Sequence, residues 1–182
     1  MNFWIKTGSL RKGGRLFLGL LFVLGSVEPL GAETRIAKNA EIQASPQEVQ
    51  ELVAAFNAME QAIKTKALGT LMGFYSDRYA HLGANKDEMK RIWTRLFQEY
   101  SELISGHTFT KIYIQRGKHL ASVECTGSMF GVNARSGEKE RIDNWVEELH
   151  YLVHEDGKWK IIGHEVESPE EGRFGVAFHP LF

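Results

Sequence analysis

Residues 145–167 read WVEELHYLVHEDGKWKIIGHEVE, two alternating apolar and polar runs joined at Glu155-Asp156-Gly157. Alternation with period two marks a half-buried strand, and Asp-Gly between two such runs is a strong local signal for a hairpin. Loop length then decides which residues share a face. A two-residue Asp156-Gly157 loop sets Val153 opposite Lys160 and Tyr151 opposite Ile162. A three-residue loop, with Gly157 as a left-handed bulge, sets Val153 opposite Trp159 and Tyr151 opposite Ile161. The second register gathers Trp145, Leu149, Tyr151, Val153, Trp159 and Ile161 on one face, leaving Glu148, His150, His154, Lys158, Lys160 and His164 on the other. Register follows the arrangement that keeps apolar side chains together, so the three-residue loop is the expectation. It also places Glu147 opposite Glu165 on the apolar face.

Upstream the pattern is helical. Ser45-Pro46-Gln47-Glu48 is a capping box with proline at the first helical position, and Val49, Leu52, Val53, Phe56, Met59 and Ile63 follow at helical spacing. A shorter helical piece is predicted over residues 66–75, weakened by Gly69 and Gly73. A polar and aromatic link carries Tyr79 and His81. Asn85-Lys86-Asp87-Glu88 caps a third helix, whose apolar face runs through Ile92, Trp93, Leu96, Phe97, Tyr100, Leu103 and Ile104 to a stop at Ser105-Gly106. Residues 108–116 and 119–130 then alternate as strands around Gly117-Lys118, and residues 133–140 form a polar loop before the opening hairpin. Three helices followed by a meander of about four strands predict an α+β fold, with the helices packed on one strongly curved antiparallel sheet.

The first 32 residues stand apart. Lys6, Arg11, Lys12 and Arg15 precede the nine-residue apolar run LFLGLLFVL, too short to span a bilayer, and Leu30-Gly31-Ala32 offers a cleavage site. Residues 1–32 are therefore expected to be a signal peptide, giving an exported chain, periplasmic or secreted, with no stable membrane anchor after cleavage. Residues 33–44 show little periodicity and read as a flexible lead-in; 45–167 form the domain, and 168–182 an apolar extension. Without the leader, 18 basic and 22 acidic residues give a net charge of −4. No basic patch suited to nucleic acid is present. The single cysteine, Cys125, excludes an intramolecular disulfide and reads as a small buried core residue.

The helix–helix–helix–meander order, the Phe74-Tyr75-Ser76-Asp77-x-Tyr79 segment, Arg116-Gly117-x-x-x-Ala121-x-Val123 and Glu155-Asp156-Gly157-Lys158-Trp159-Lys160-Ile161 together resemble the nuclear-transport-factor-2-like superfamily, in its SnoaL-like and ketosteroid-isomerase-like branches. The resemblance covers residues 47–167 and implies a cystatin-like cone, commonly a homodimer through its sheet. Members include isomerases, dehydratases, cyclases and non-enzymatic modules, so the fold alone leaves the activity open. The general-base aspartate of ketosteroid isomerase would fall near Gly83, where this chain has no carboxylate. No acid–His–His–Tyr set like that of scytalone dehydratase is evident in the sequence either.

Against that background the expected pocket is lined by Tyr75, Tyr79, Trp93, Trp145, Glu147, Leu149, Tyr151, Trp159 and Glu165. Glu147, Glu165 and His81 are the candidates for acid–base chemistry. His150, His154 and His164 match no zinc spacing and are expected on the outer sheet surface, so neither metal nor other cofactor is anticipated. The leading expectation is an exported domain binding a small, mostly apolar molecule in its cone, or dimerising through its sheet, without catalysis. The alternative is a lyase or isomerase using a pocket glutamate with a Tyr or His partner. What discriminates them is whether polar groups converge inside the cone.

Overall fold

The computed structural model describes residues 33–115, 117 and 119–164. The expected leader, Glu165 and the 168–182 extension lie outside them. The described chain runs β1 (Arg35–Gln43), α1 (Pro46–Lys64), α2 (Leu68–Met72), β2 (Ala80–His81), β3 (Ala84–Asn85), α3 (Lys86–Glu99), β4 (Tyr100–Gln115), β5 (Leu120–Asn133), β6 (Lys139–Glu155) and β7 (Lys158–His164). Five strands form one sheet in the order β1-β4-β5-β6-β7, and β2 and β3 make a small separate pair. The helices cover one face of the large sheet. Register shifts interrupt every pairing in it, and each such bulge bends and twists the strands, which gives the sheet its curvature.

Local chemistry explains the helix starts. Ser45 Oγ accepts from the Glu48 amide while Glu48 accepts from the Ser45 amide at 2.7 Å, the reciprocal capping box. Asn85 caps α3 through the Glu88 amide at 3.0 Å. The apolar stripe of α1 is buried through Leu52, Phe56, Met59 and Ile63, and Phe56 meets Phe109 of β4 edge-on at 4.9 Å. Burial of side chains this large contributes roughly 1.5–3 kcal/mol each.

Three expectations are overturned. Residues 33–44 are not a flexible lead-in, since β1 pairs in parallel with β4 and makes the sheet mixed rather than wholly antiparallel. Most β1 side chains are exposed, so no apolar alternation announced the strand; backbone pairing holds it. The third helix stops at Glu99, five residues before the predicted end, because Tyr100 turns extended (φ −110°, ψ 132°) and opens β4. Finally, the hairpin loop has two residues. Glu155 pairs with Lys158, and both Asp156 and Gly157 have positive φ (53° and 73°), the backbone twist that suits tightly joined strands. A bulge at Tyr151/Leu152 then reverses the facing of the strands beyond it.

That reversal moves the histidines. His150 and His164 are buried beneath the helices, not on the outer surface, while Tyr151 faces outward and is 38% exposed. Leu152, Trp159 and Ile161 take the core positions, whereas Val153 is buried outside the main core cluster.

Candidate active site

The inner face of the sheet is unusually polar near the middle of the barrel-like curve. On β4, Leu103, Ser105, His107 and Phe109 alternate inward, so two polar side chains sit between two apolar ones. Glu60 reaches the same region from α1. It lies four residues after Phe56 and three before Ile63, on the apolar stripe itself, with 0% exposure. His107 Nδ1 donates to Glu60 Oε1 at 2.6 Å, and Thr34 Oγ1 donates to the same oxygen at 3.2 Å. Two fully buried groups from elements 47 residues apart thus form a hydrogen-bonded carboxyl–imidazole pair.

A second chain of contacts lies beside it. Cys125 Sγ is 2.8 Å from His150 Nε2, and His150 Nδ1 is 2.8 Å from His164 Nδ1. The Trp145 indole N–H donates to Cys125 Sγ at 3.2 Å. The ring of His81 stands 5.0 Å from that of His164, nearly perpendicular, and is itself half-buried. His150 and His107 are 6.3 Å apart by ring centroids, which brings the two groups into one cluster. Burial is the main cause that holds His150 and His164 well below the ordinary imidazole range, with the neighbouring imidazoles adding to it. Burial likewise pushes the Cys125 thiol well up, so the resting sulfur is protonated.

Two glycines make this packing feasible. Gly127 is paired directly opposite Trp145, and a β-carbon there would overlap the Trp145 ring and the Gly106 carbonyl. At Gly163 a β-carbon would lie 2.8 Å from the Ala80 carbonyl oxygen, so its absence lets β2 lie against β7 and carries His81 to His164.

The predicted site residues divide. Tyr75 and Trp93 are fully buried and bonded to each other, the indole N–H donating to Tyr75 Oη at 3.0 Å. Tyr79 packs edge-on against Tyr75 at 5.2 Å and lies 6.0 Å from His164 by ring centroids, so it borders the cluster. Burial raises both phenols out of the physiological range. Trp145 covers His107 at 5.0 Å, and His81 joins through His164. Trp159 is buried near the opposite end, beside His154. Leu149 is half-buried and Tyr151 faces out, so neither joins the cluster.

Glu147 does not face the interior. It sits at a bulge with φ 57°, exposed, with its amide donating to Thr126 Oγ1 at 3.1 Å. Its expected partner Glu165 lies outside the described residues. Glu148 is the inward acid of this stretch, paired directly opposite buried Cys125 and close enough to Tyr79 to help raise its phenol. Glu60, His107, His150, His164 and Tyr79 are thus linked in one buried run of neighbouring side chains. Glu60 was missed because it stands on the apolar stripe of α1, and His107 because it follows the expected helix stop; the longer hairpin loop had put His150 and His164 on the outer face.

Among the described residues, no group of three or more His, Cys, Asp or Glu has the arrangement to hold a metal ion. A groove of about 290 Å³ lies apart from the cluster, between the start of α1 and the β4–β5 and β6–β7 turns, with Glu48, Glu51, Ile114, His119, His154 and Trp159 in its lining.

No protein-family model matches the chain, and no curated protein does. Solved structures do. A candidate dehydratase of the NTF2-like family from Streptomyces avermitilis superposes with a TM-score of 0.52 at 13% identity, over 66% of this chain and 95% of that one. A candidate scytalone dehydratase from Novosphingobium aromaticivorans gives 0.52 at 12% identity, over 65% and 81%. Bd1075 of Bdellovibrio bacteriovorus gives 0.50 at 16% identity; 67% of this chain is covered, and the match spans 42% of that longer protein. At such identities the likeness is one of fold, and the fold is the curved α+β cone of the nuclear-transport-factor-2-like proteins.

Proposed function

We propose that the cone performs acid–base chemistry of the lyase or isomerase type on a small carbonyl-bearing molecule, with His107 as the base and Glu60 as the group that orients it. The observation that carries this reading is the buried Glu60–His107 hydrogen bond at 2.6 Å. A carboxyl on Nδ1 fixes the ring's orientation and tautomer and leaves Nε2 as the basic nitrogen, the arrangement a proton-abstracting histidine needs. The convergence of polar groups inside the cone supports this reading over that of an apolar binding module. Buried polar atoms point the same way: among the described residues Glu60 Oε2, Ser105 Oγ and Tyr79 Oη have no hydrogen-bond partner, and a polar substrate would satisfy them. The dehydratase names of two structural neighbours agree with this class of reaction, although they belong to those proteins.

His107 is fully covered by Phe56 and Trp145, so substrate reaches it when one of those rings swings aside. The reaction then begins with removal of a proton next to the carbonyl; a hydroxyl leaves in a lyase, or the proton returns elsewhere in an isomerase.

The test is proton exchange. The protein is incubated in D2O with a panel of β-hydroxy and β,γ-unsaturated ketones, and deuterium uptake next to the carbonyl is followed by mass spectrometry. The wild type should catalyse uptake, and His107→Gln should lower it about 100-fold or more. A folded wild type that exchanges nothing across the panel would remove the reading.

A second reading, a binding module for a small and mostly apolar molecule, is favoured by the groove beside Trp159 and Ile114, whose volume is near the lower limit for small-molecule pockets. Homodimerisation through the outer sheet face belongs with either reading, and Tyr113 and Tyr151 are the large exposed residues it would cover.

A further inference from the structure

Cys125, His150, His164 and His81 are not needed to orient the base, yet they form an ordered line. The sulfur touches Nε2 of His150 at 2.8 Å, the opposite nitrogen of that ring touches Nδ1 of His164 at 2.8 Å, and the His164 ring faces His81 at 5.0 Å. Exposure rises along the line, from a sulfur at 0% through His164 at 5% to the half-buried His81. We propose that these four residues are a proton path leading from the surface link at His81 to the Cys125 thiol inside the cone.

The chemistry of each member suits the task. A neutral imidazole accepts at one nitrogen while donating at the other, whereas a protonated one can only donate. Burial keeps His150 and His164 neutral. One consistent arrangement has His164 Nδ1–H donating to His150 Nδ1 and His150 Nε2–H donating to the sulfur, whose own S–H points into the cone. When the thiol gives its proton to developing negative charge in the cone, His150 and His164 pass protons inward and both rings change tautomer. One proton enters from solvent by way of His81, so the thiol is restored. The Trp145 indole N–H, already on the sulfur, steadies it during the exchange. Use of the path in catalysis rests on the acid–base reading above; the path itself does not.

The experiment therefore needs no substrate. In protein with 15N-labelled histidine and tryptophan, a coupling between the two Nδ1 atoms across their hydrogen bond should be seen. Ring N–H protons of His150 and His164 should exchange with water faster than the Trp145 indole N–H beside them. His81→Phe, which keeps a ring against His164, should slow that exchange about 100-fold, the lower end of what one positioned acid–base group contributes. Added free imidazole should restore part of it, and His81→Gln should repeat the result if the Phe variant misfolds. Unchanged exchange in both folded variants, or His150 exchanging in step with Trp145, would overturn the path, since the latter means the cluster simply opens to water. A path that behaves as described in a protein inert toward every ketone supports the path and sinks only the acid–base reading.

Discussion

His150 and His164 touch through the same atom of each ring, Nδ1 to Nδ1 at 2.8 Å. Like atoms can share a hydrogen bond only if one carries the proton and the other does not, so the two neutral rings hold opposite tautomers. Acid disturbs this. Burial sets both folded-state pKa values well below the ordinary 6.5, so as the pH falls the unfolded chain takes up protons before the folded one. Their contribution to stability is complete above the unfolded value and declines as the pH drops through it towards the folded values, by up to about 1.4 kcal/mol per pH unit for each ring. Denaturation midpoints measured from pH 8 to 5 should fall, and His150→Gln should flatten the decline. A midpoint independent of pH in the wild type would contradict the buried neutral pair.

Glu60→Ala should destabilise by about 3–5 kcal/mol, because it strips a buried imidazole of its partner. Glu60→Gln should cost much less, since the amide oxygen can still accept from His107 and Thr34. The two variants should therefore separate in urea while both lose proton-abstracting activity. Equal midpoints would mean that the pair is not buried as described.

Gly127→Ala places a methyl group into the Trp145 ring and the Gly106 carbonyl. Overpacking of this kind costs about 1–3 kcal/mol. Tryptophan fluorescence should shift to the red as Trp145 leaves its place over the cluster. A stable variant with an unaltered spectrum would show that the ring has room to spare.

Trp159→Ala should cost about 3–5 kcal/mol as a large core truncation, and the groove beside it should widen. Gly157→Ala in the tight turn should cost about 1–2 kcal/mol, because φ is +73° there. Both are read from urea midpoints, and a neutral Gly157→Ala would show that the turn does not hold Gly157 at positive φ.

Much of the fold could be read from residues whose chemistry is local. Ser45 and Asn85 name the starts of two helices by capping, and Asp156-Gly157 names the hairpin, because a cap or a turn needs only a few neighbours. The site was hidden for the opposite reason. His107 and Ser105 put polar atoms on the buried face of β4, which broke the alternation and let residues 100–104 pass for helix. In the hairpin, a bulge at Tyr151/Leu152 undid the face assignment, and no pattern in the side chains announces where a bulge will fall. One signal was available. Glu60 stands in register with Phe56 and Ile63, and a lone carboxylate on the apolar stripe of a helix needs a buried partner.

The edge strand that begins at Arg35 has a mechanical consequence. Thr34, just ahead of it, is tied twice to α1, by its amide to Asn57 Oδ1 at 2.8 Å and by its hydroxyl to Glu60. Tension on the chain ahead of Glu33 is borne by these two bonds before it reaches the ladder between β1 and β4. The first thing a pull at that end undoes is therefore the outermost support of the Glu60–His107 pair, while the core beneath is still intact. Whatever holds or releases the front of this chain has a lever on its interior.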